Sequence, residues 1–282
     1  MRRRVAGEEA GTPHQFGEKA ACRAFAVSIG VDVPHLYAAA PTFDGIDFAA
    51  LPERFVIKPD GLYGTKGVYL LTRQGDGRYR DQLRGVTVTI DELRSEYARL
   101  SEMVQVPAHY KVLVEEWITG EEKTFGPIPP DYKVYVFYGR PKLILQVNRN
   151  REDRGIGWFD GNFRPLRVDK ALKRVPDAYH AVMPVLPRHW KAVLKLARRV
   201  SLAMEVPFVR IDAFASDRGA VLGEITLAPG GAGYSYPFTP RFDAALGRAW
   251  ERALTRIDKD RASQGGRPGA TAPSAGARTR RP

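Results

Sequence analysis

The residues with the clearest chemical potential are two carboxylates on neighbouring predicted strands. Asp212 lies in the run VRIDAFAS and Glu224 lies twelve residues later in AVLGEIT, with the turn-forming sequence SDRG between the two runs. An antiparallel hairpin about this turn would place both carboxylates near one end, and on one face if the register allows. Together with the hydroxyl of Thr226 they would offer the hard oxygen ligands that Mg²⁺ prefers. The alternative is a structural salt bridge from Asp212 to Arg210 or Arg218.

A lysine and a glycine-bearing loop form the second candidate. Lys58 ends the apolar run FVIK, where an unpaired charge is costly to bury, so its side chain is expected to point into a cleft. The loop that follows can lay backbone N–H groups against phosphate oxygens because its glycines lack Cβ atoms. Its candidate phosphate contacts are Gly61, Gly64, Thr65, Lys66 and Gly67. A plain turn between two strands is the alternative, since the loop lacks the Walker pattern.

The composition excludes several other classes of site. The chain has 282 residues, of which 44% are apolar, so it can bury a full core. Its one cysteine, Cys22, permits no disulfide framework and lies in the apolar stripe of a predicted helix. The five histidines have no metal-ligand spacing, and no G-x-S-x-G nucleophile elbow is present. A mechanism with a side-chain nucleophile is therefore not supported.

The net charge of +12 at first suggests a nucleic-acid partner, but much of it lies at the two ends. Arg2, Arg3 and Arg4 begin the chain, and residues 259–282 form a basic sequence rich in Gly, Ala, Pro and Ser. Both ends are expected to be disordered, and the tail is expected to be a solvated appendage. Nucleic acid is thus not expected as a partner. No apolar stretch is long enough to span a bilayer or to act as a signal peptide, so a cytoplasmic protein is expected.

The pattern of elements predicts an α+β fold with two sheets. Residues 1–42 are expected to form a small N-terminal helical cap and an extended connector. Thr89 and Glu92 form a capping box at the start of an amphipathic helix, and the sequence PRHWKAVLKLARRVSLAM predicts another. The sequence DYKVYVFYGRPKLILQVNRN predicts a hairpin.

In this order the segments resemble the ATP-grasp superfamily, and within it the TupA-like group associated with teichuronopeptide synthesis. The resemblance rests on five stretches: FDGIDFAALPERFVIKP, GLYGTKGVYLL, VLVEEWITGEE, DYKVYVFYGRPKLILQVNR, and FVRIDAFA followed by VLGEITLAPGG. It implies two sheet-containing lobes with a nucleotide bound between them. The catalytic region would cover residues 43–258, in which residues 43–118 would form the smaller nucleotide lobe and residues 119–258 the metal and substrate lobe.

The resemblance also implies a role for each candidate residue. Lys58 and the glycine loop would contact the phosphates of ATP. The remaining ATP contacts would come from the adenine hinge and from acids near the ribose: Glu115, Glu116, Trp117, Ile118, and Glu122 or Asp131. Asp212 and Glu224 would hold Mg²⁺, with Thr226 where many ATP-grasp enzymes carry asparagine. Arg210 would act beside the reacting carboxylate, with Lys133 as a second catalytic residue.

The implied activity is an ATP- and Mg²⁺-dependent ligase that joins a carboxylate to an amine through an acyl phosphate. Its substrates would be small-molecule or polymer-linked acids and amines in cell-surface polymer or peptide-like synthesis. Two alternatives remain open at this point: a phosphotransferase on the same scaffold, and a basic nucleic-acid-binding protein that does not turn over ATP.

Overall fold

Two antiparallel sheets with helices packed against them make up the computed structural model. It describes residues 1–6, 8–9, 11–62, 64–104, 110–151, 154–175, 180–229 and 238–265. The helices are α1 (Arg2–Val5), α2 (Lys19–Ser28), α3 (Ile90–Ser101), α4 (Glu122–Phe125), α5 (Val168–Ala171), α6 (Trp190–Ala203) and α7 (Pro240–Gly265). The strands are β1 (Leu36–Ala40), β2 (Arg54–Pro59), β3 (Tyr69–Gly75), β4 (Arg78–Asp81), β5 (Val86–Thr89), β6 (Val112–Glu116), β7 (Asp131–Phe137), β8 (Arg140–Asn148), β9 (Gly155–Asp160), β10 (Val209–Ser216) and β11 (Gly219–Thr226).

The first sheet has six strands in the order β1-β6-β2-β3-β4-β5. Helix α3 follows its last strand and begins with the predicted capping box, in which the Thr89 side chain accepts from the Glu92 N–H and the Glu92 carboxylate accepts from the Thr89 N–H. The helix buries Leu93, Tyr97 and Leu100, and two of these side chains join the core of this sheet. This lobe carries Lys58 and the glycine loop.

The second sheet has five strands in the order β11-β10-β7-β8-β9. One face packs against α6 and α2 in a single apolar core, and the other face packs against α7. Successive side chains of a strand point to opposite faces. Arg210 and Asp212 therefore lie on the α7 face of β10, while Val209, Ile211 and Ala213 lie in the α6 core. The sheet thus separates the candidate site from helix α6.

The predicted α+β arrangement is present, but four strands were not predicted. The expected connector contains β1, which pairs antiparallel with β6 as the edge strand of the first sheet. Its sequence LYAAA carries little strand propensity, so pairing with β6 rather than local preference makes it a strand. Strands β4 and β5 are only four residues long, and β9 begins with two glycines in three residues. Local sequence gives weak signals for such segments.

The N-terminus is ordered where disorder was expected, because Arg4 is a core residue. Its side chain is 1% exposed and donates to the backbone carbonyls of Phe208 and Leu227 at 2.7 and 2.9 Å. Its guanidinium also pairs with Glu9 and lies over the ring of Trp250, 4.7 Å from the centroid. A buried guanidinium is tolerated when its donors are satisfied in this way.

Helix α7 corrects the expected start of the basic tail at residue 259. The helix continues to Gly265 and begins with Pro240, a residue favoured at the first helical position. It is anchored by buried Ala249, Ala253 and Ile257. Residues 266–282 of the predicted tail lie outside the described residues. None of the described helices is long and apolar enough to cross a membrane.

Candidate functional site

A β-bulge brings the two strand carboxylates together. Strands β10 and β11 meet at the Ser216–Gly219 pair, and a regular ladder from this turn would place Asp212 opposite Gly223. The register shifts between Asp212 and Ala213, so Asp212 lies opposite Glu224 instead. The extra residue of the bulge is Gly223, where a Cβ atom would come within 3.0 Å of the Phe214 ring. Without this shift Glu224 would point into the α6 core.

Asp212 is held by two cations on its own sheet. Arg210 donates to both Asp212 oxygens, at 2.6 and 2.8 Å, and also to the Thr226 hydroxyl at 2.9 Å. Lys133, which is opposite Asp212 on β7, donates to Asp212 Oδ2. The expected alternative of a salt bridge to Arg210 is therefore present, whereas Arg218 does not contact Asp212. The pairs are mutually satisfied, so the cluster is preorganised.

Lys133 also connects Asp212 to Asp131. The Lys133 ammonium lies 2.7 Å from Asp131 Oδ2, and Arg149 lies 3.2 Å from the same oxygen. Burial alone would raise the pKa of Asp131, but the charges of Lys133 and Arg149 outweigh it and lower the pKa to about 2. Asp131 Oδ1 is buried and has no hydrogen-bond partner in the described part of the chain. This carboxylate is thus ionised and keeps one free acceptor.

Glu224 differs from Asp212 because it makes no ion pair and no hydrogen bond with any described residue. Burial and the negative charge of Asp212 raise the pKa of Glu224, although Arg210, Lys133 and Lys19 act in the opposite direction. A half-buried carboxylate beside a second carboxylate is stabilised when a cation binds between them. The arrangement fits a divalent cation at this position.

The donor set is small for a metal site. No group of three or more His, Cys, Asp and Glu side chains that could hold a metal occurs among the described residues. Thr226 already accepts a hydrogen bond from Arg210. Mg²⁺ is usually held by one or two carboxylates together with phosphate oxygens and water. Asp212 and Glu224 satisfy that pattern, and Thr226 adds an oxygen only through its second lone pair.

Lys58 faces a small cavity between the two lobes. Its ammonium lies 2.6 Å from Glu115 Oε2 on the neighbouring strand β6, and both side chains are largely buried. The cavity has a volume of about 20 Å³, enough for one water molecule. Its lining joins β2 and β6 of the first lobe to β11 and α2: Lys19, Cys22, Arg23, Val33, Pro34, Lys58, Glu115, Leu222 and Gly223.

Lys19 is a site residue that the sequence analysis missed. It opens helix α2, where its ammonium donates to Leu62 O at 2.9 Å. Burial and the charge of Lys58 lower the pKa of Lys19, against the opposing effect of Asp60, Glu224 and Glu115. A cation in the first turn of a helix is unfavourable for the helix dipole. That misplaced charge is the one sequence signal that could have identified it.

Asp60 ties the N-terminal cap to the start of the glycine loop. Its carboxylate accepts from the N–H groups of Lys19 and Ala20 at 3.0 and 3.2 Å, and from that of Gly61 at 3.0 Å. Asp60, which follows strand β2 of the first sheet, therefore caps the first turn of α2, a helix that packs on the second sheet. This contact holds Lys19 beside Lys58.

The glycine loop has a packed base and an exposed tip. Gly67 has a φ of +66°, and a Cβ there would lie 2.5 Å from Leu100, so only glycine fits. Gly61 also has a positive φ and packs against Val104. Gly64, Thr65 and Lys66 are exposed, and no atom lies within 4 Å of a Cβ built on Gly64. The tip is thus open to a ligand, while Gly61 and Gly67 shape the loop.

In the segment after β6, residues 116–122, two acidic side chains already pair with arginines, whereas two residues have backbone groups without a hydrogen-bond partner among the described residues. Glu116 pairs with Arg218 through both carboxylate oxygens, and its N–H donates to His35 O. Glu122 lies 3.7 Å from Arg54 at the surface. The backbone groups of Trp117 and Ile118 make no hydrogen bond with any residue in the described ranges. Free backbone groups beside two buried apolar side chains suit a planar, hydrogen-bonding ring.

The Glu116–Arg218 pair also connects the lobes. Arg218 lies in the β10–β11 turn of the second lobe and bonds Asp32 Oδ2 at 2.7 Å as well. A bidentate guanidinium–carboxylate pair has a fixed geometry. Arg218, one of the two expected partners of Asp212, is thus an interlobe contact.

Comparison with known proteins now decides the family. The model of a family described as TupA-like ATPgrasp matches residues 4–251. The chain belongs to this family. No curated protein is significantly similar to it.

The ATP-grasp fold is confirmed by solved structures of low sequence identity. D-alanine–D-alanine ligase from Bacillus anthracis complexed with ATP is 16% identical, with a TM-score of 0.50 over 86% of this chain and 65% of that chain. D-alanine–D-alanine ligase from Helicobacter pylori is 14% identical, with a TM-score of 0.51 over 84% and 60% of the two chains. L-amino acid ligase from Bacillus licheniformis is 13% identical, with a TM-score of 0.50 over 83% and 48%. The chain spans less than two thirds of the length of these proteins.

Proposed function

We propose that this ATP-grasp protein is an ATP- and Mg²⁺-dependent carboxylate–amine ligase. The observation that carries the proposal is the Asp212–Glu224 pair, in which one carboxylate has no partner among the described residues and has a raised pKa. Family membership supports it, as do similar folds that belong to ligases. A bound Mg²⁺ would neutralise phosphate charge and fix the phosphate oxygens.

The residues of this chain would position and neutralise rather than attack. Lys58 and Lys19 would bind phosphate oxygens from the first lobe and the cap. Trp117 and Ile118 would hold the adenine ring through their free backbone groups, with Glu122 or Asp131 near the ribose. Such fixed charges lower the barrier because they need no reorganisation as the reaction proceeds.

The reaction would take place in two displacements. A substrate carboxylate oxygen attacks the γ-phosphorus of ATP, the bond to the β-phosphate oxygen breaks, and ADP leaves. The amine nitrogen then attacks the acyl carbon, the C–O bond to phosphate breaks, and the amine proton passes to the departing phosphate as the amide forms. Arg210 would stabilise the negative charge on the reacting carboxylate, with Lys133 holding Asp212 beside it. No side-chain nucleophile is required, and burial raises the pKa of the Cys22 thiol to about 12, which keeps it un-ionised.

The substrate class is the least constrained part of the proposal. We place it among small-molecule or polymer-linked acids and amines in cell-surface polymer or peptide-like synthesis, in the cytoplasm. Resemblance to the TupA-like group supports this choice.

The test is direct detection of product. The protein is incubated with Mg²⁺·ATP and pools of candidate acids and amines, ADP is measured, and new amides are sought by mass spectrometry. An amide formed in proportion to ADP supports the ligase. ADP with a stable phosphorylated product would instead favour a phosphotransferase. If the protein neither binds nor turns over nucleotide with any pool of acids and amines, the proposal is contradicted.

A further inference from the structure

Residues 180–186 form a segment whose backbone is fixed against strand β9. Ile156 N donates to His180 O at 2.9 Å, and Val182 N donates to Ile156 O at 3.0 Å. Further along, the Gln146 side chain donates to Val185 O at 2.7 Å and accepts from Val185 N at 2.9 Å. Hydrogen bonds at both ends hold the segment in one path.

Two glycines of β9 bring this segment directly onto the sheet. A Cβ on Gly155 would lie 2.5 Å from Val182 Cγ1, and one on Gly157 would lie 2.7 Å from Pro184 Cβ. Glycine in a strand often marks such a close approach of another chain segment. Val182 and Pro184 therefore contact the strand, while Met183, Val185, Leu186 and part of the Val182 side chain are left exposed.

These outward side chains form an exposed apolar patch. Val182 is 39% exposed, Met183 79%, Val185 45% and Leu186 50%. Single exposed apolar residues are ordinary, but a contiguous group on a fixed backbone marks an interaction surface. The patch is not explained by the Asp212–Glu224 pair, which lies on the other face of the second sheet.

A stripe of cations continues from the patch along helix α6. Between residues 180 and 204 the sequence has no Asp or Glu and five Lys or Arg residues. Lys191, Lys195 and Arg198 recur at helical spacing on the exposed face of α6. Among the described residues, the carboxylate of Glu121 accepts from Arg188 N at 2.7 Å, and Glu205 follows the end of α6.

The combination of charge and apolar surface selects one kind of partner. We propose that residues 180–186 and the exposed face of α6 form a peripheral docking surface for an anionic lipid bilayer. Lipid phosphates match the cations, and the interfacial region accepts Val, Met and Leu side chains. Nucleic acid would use the cations but would leave the apolar patch in water.

The test is co-sedimentation of the full chain with vesicles. Two kinds are compared: phosphatidylcholine alone, and equal parts of phosphatidylcholine and phosphatidylglycerol. The wild-type protein should bind the anionic vesicles and not the neutral ones. The variants Met183→Ser/Leu186→Ser and Lys191→Glu/Lys195→Glu should each lower the partition coefficient by about tenfold or more.

Matched control variants carry the same kinds of substitution at exposed positions outside the patch. Val86→Ser/Leu254→Ser removes two apolar groups that are 44% and 43% exposed, and Arg78→Glu/Arg248→Glu makes the same charge change outside the patch. Both should bind within about twofold of wild type, and all four variants should keep the wild-type melting temperature. Absent vesicle binding, equal losses in the controls, or an unaffected Met183→Ser/Leu186→Ser variant would overturn the proposal. Tighter binding to duplex DNA than to anionic vesicles, lost in the Lys191→Glu/Lys195→Glu variant, would also overturn it.

Discussion

Asp212 and Glu224 lie directly opposite each other on β10 and β11, although the hairpin turn alone would pair Asp212 with Gly223. The bulge at Gly223 inserts one residue and turns Glu224 onto the face of Asp212. Asp212 forms salt bridges with Arg210 and Lys133, whereas Glu224 has no partner among the described residues. The pair is therefore asymmetric, and Glu224 is the residue whose replacement discriminates best between a metal site and a structural one.

Glu224→Gln should reduce Mg²⁺·ATP-dependent ADP release by orders of magnitude while the protein remains folded. The change keeps the size of the side chain but removes a hard anionic ligand and its repulsion with Asp212. Thermal melts with and without Mg²⁺·ATP, beside an ADP assay, provide the measurement. Glu96→Gln on α3 is the matched control and should behave as wild type. A Glu224→Gln protein with the wild-type rate and the wild-type stabilisation by Mg²⁺·ATP would show that Glu224 is not a metal ligand.

Lys58→Met should weaken ATP binding by roughly ten- to a hundredfold, since a charge-assisted contact contributes about 1.5–3 kcal/mol. Because Glu115 would lose its partner, the variant should also be less stable without nucleotide. Lys58→Met/Glu115→Gln removes both charges and should regain that stability but not the affinity. Calorimetric titration with ATP separates the two effects, and equal affinity for wild type and the double variant would refute a phosphate contact.

Lys19→Met should also lower ATP affinity, by about tenfold, because it removes the cation that lies beside Lys58 in the interlobe cavity. Arg23→Met is the matched control: both side chains line the cavity and donate to a backbone carbonyl, Lys19 to that of Leu62 and Arg23 to that of Pro34, but only Lys19 is proposed to contact phosphate. The two variants should differ in nucleotide titrations and not in ligand-free melting temperature. If the two variants bound ATP with equal affinity, Lys19 would be a structural residue and not a phosphate contact.

The Glu116–Arg218 contact should make stability depend on pH. Burial would raise the pKa of Glu116, but its hydrogen bonds to Arg218 outweigh this and lower it. A carboxyl with a lowered folded-state pKa contributes stability above its unfolded pKa, about 4.3, and loses it as pH falls through the folded value. The free energy of unfolding should therefore differ between wild type and Glu116→Gln at pH 7, and the gap should narrow toward pH 3.

Urea unfolding at several pH values measures this gap. In an Arg218→Met background the difference between the Glu116 and Glu116→Gln proteins should no longer increase from pH 3 to pH 7, since the strongest interaction that lowers the pKa of Glu116 is gone while burial, which raises it, remains. A gap that stays constant with pH in the presence of Arg218 would contradict the assignment.

The end of α7 should contribute to stability but not to catalysis. Asp260 accepts from the Tyr138 hydroxyl at 2.8 Å, a contact to a charged group worth about 1 kcal/mol at a partly exposed site. A chain ending at Gly265 should melt as wild type, whereas one ending at Asp258 should melt about 2–4 °C lower. Both should retain ATP-dependent activity in the folded fraction. Loss of activity from the chain ending at Gly265 would assign a function to residues 266–282.

Local patterns in the sequence were sufficient for much of the fold. The capping box of Thr89 and Glu92, the periodic apolar residues of α6 and the SDRG turn each act over a few residues, so they can be recognised without the rest of the chain. The ordered series of five stretches identified the ATP-grasp family. The same patterns could not identify β1, whose strand conformation depends on pairing with β6 some 70 residues away.

Sequence alone determined which groups could bind a nucleotide and a metal: Lys58, the glycine loop, Asp212 and Glu224. Only the tertiary structure decided which of them meet. The bulge at Gly223 decides which face of the sheet Glu224 lies on, and the alternation of apolar and polar residues along the strand does not reveal it. The hydrogen bonds from the start of α2 to Asp60 place Lys19 beside Lys58. Register and domain contacts are long-range properties. They depend on the partner that each strand or helix finds, so no single segment encodes them.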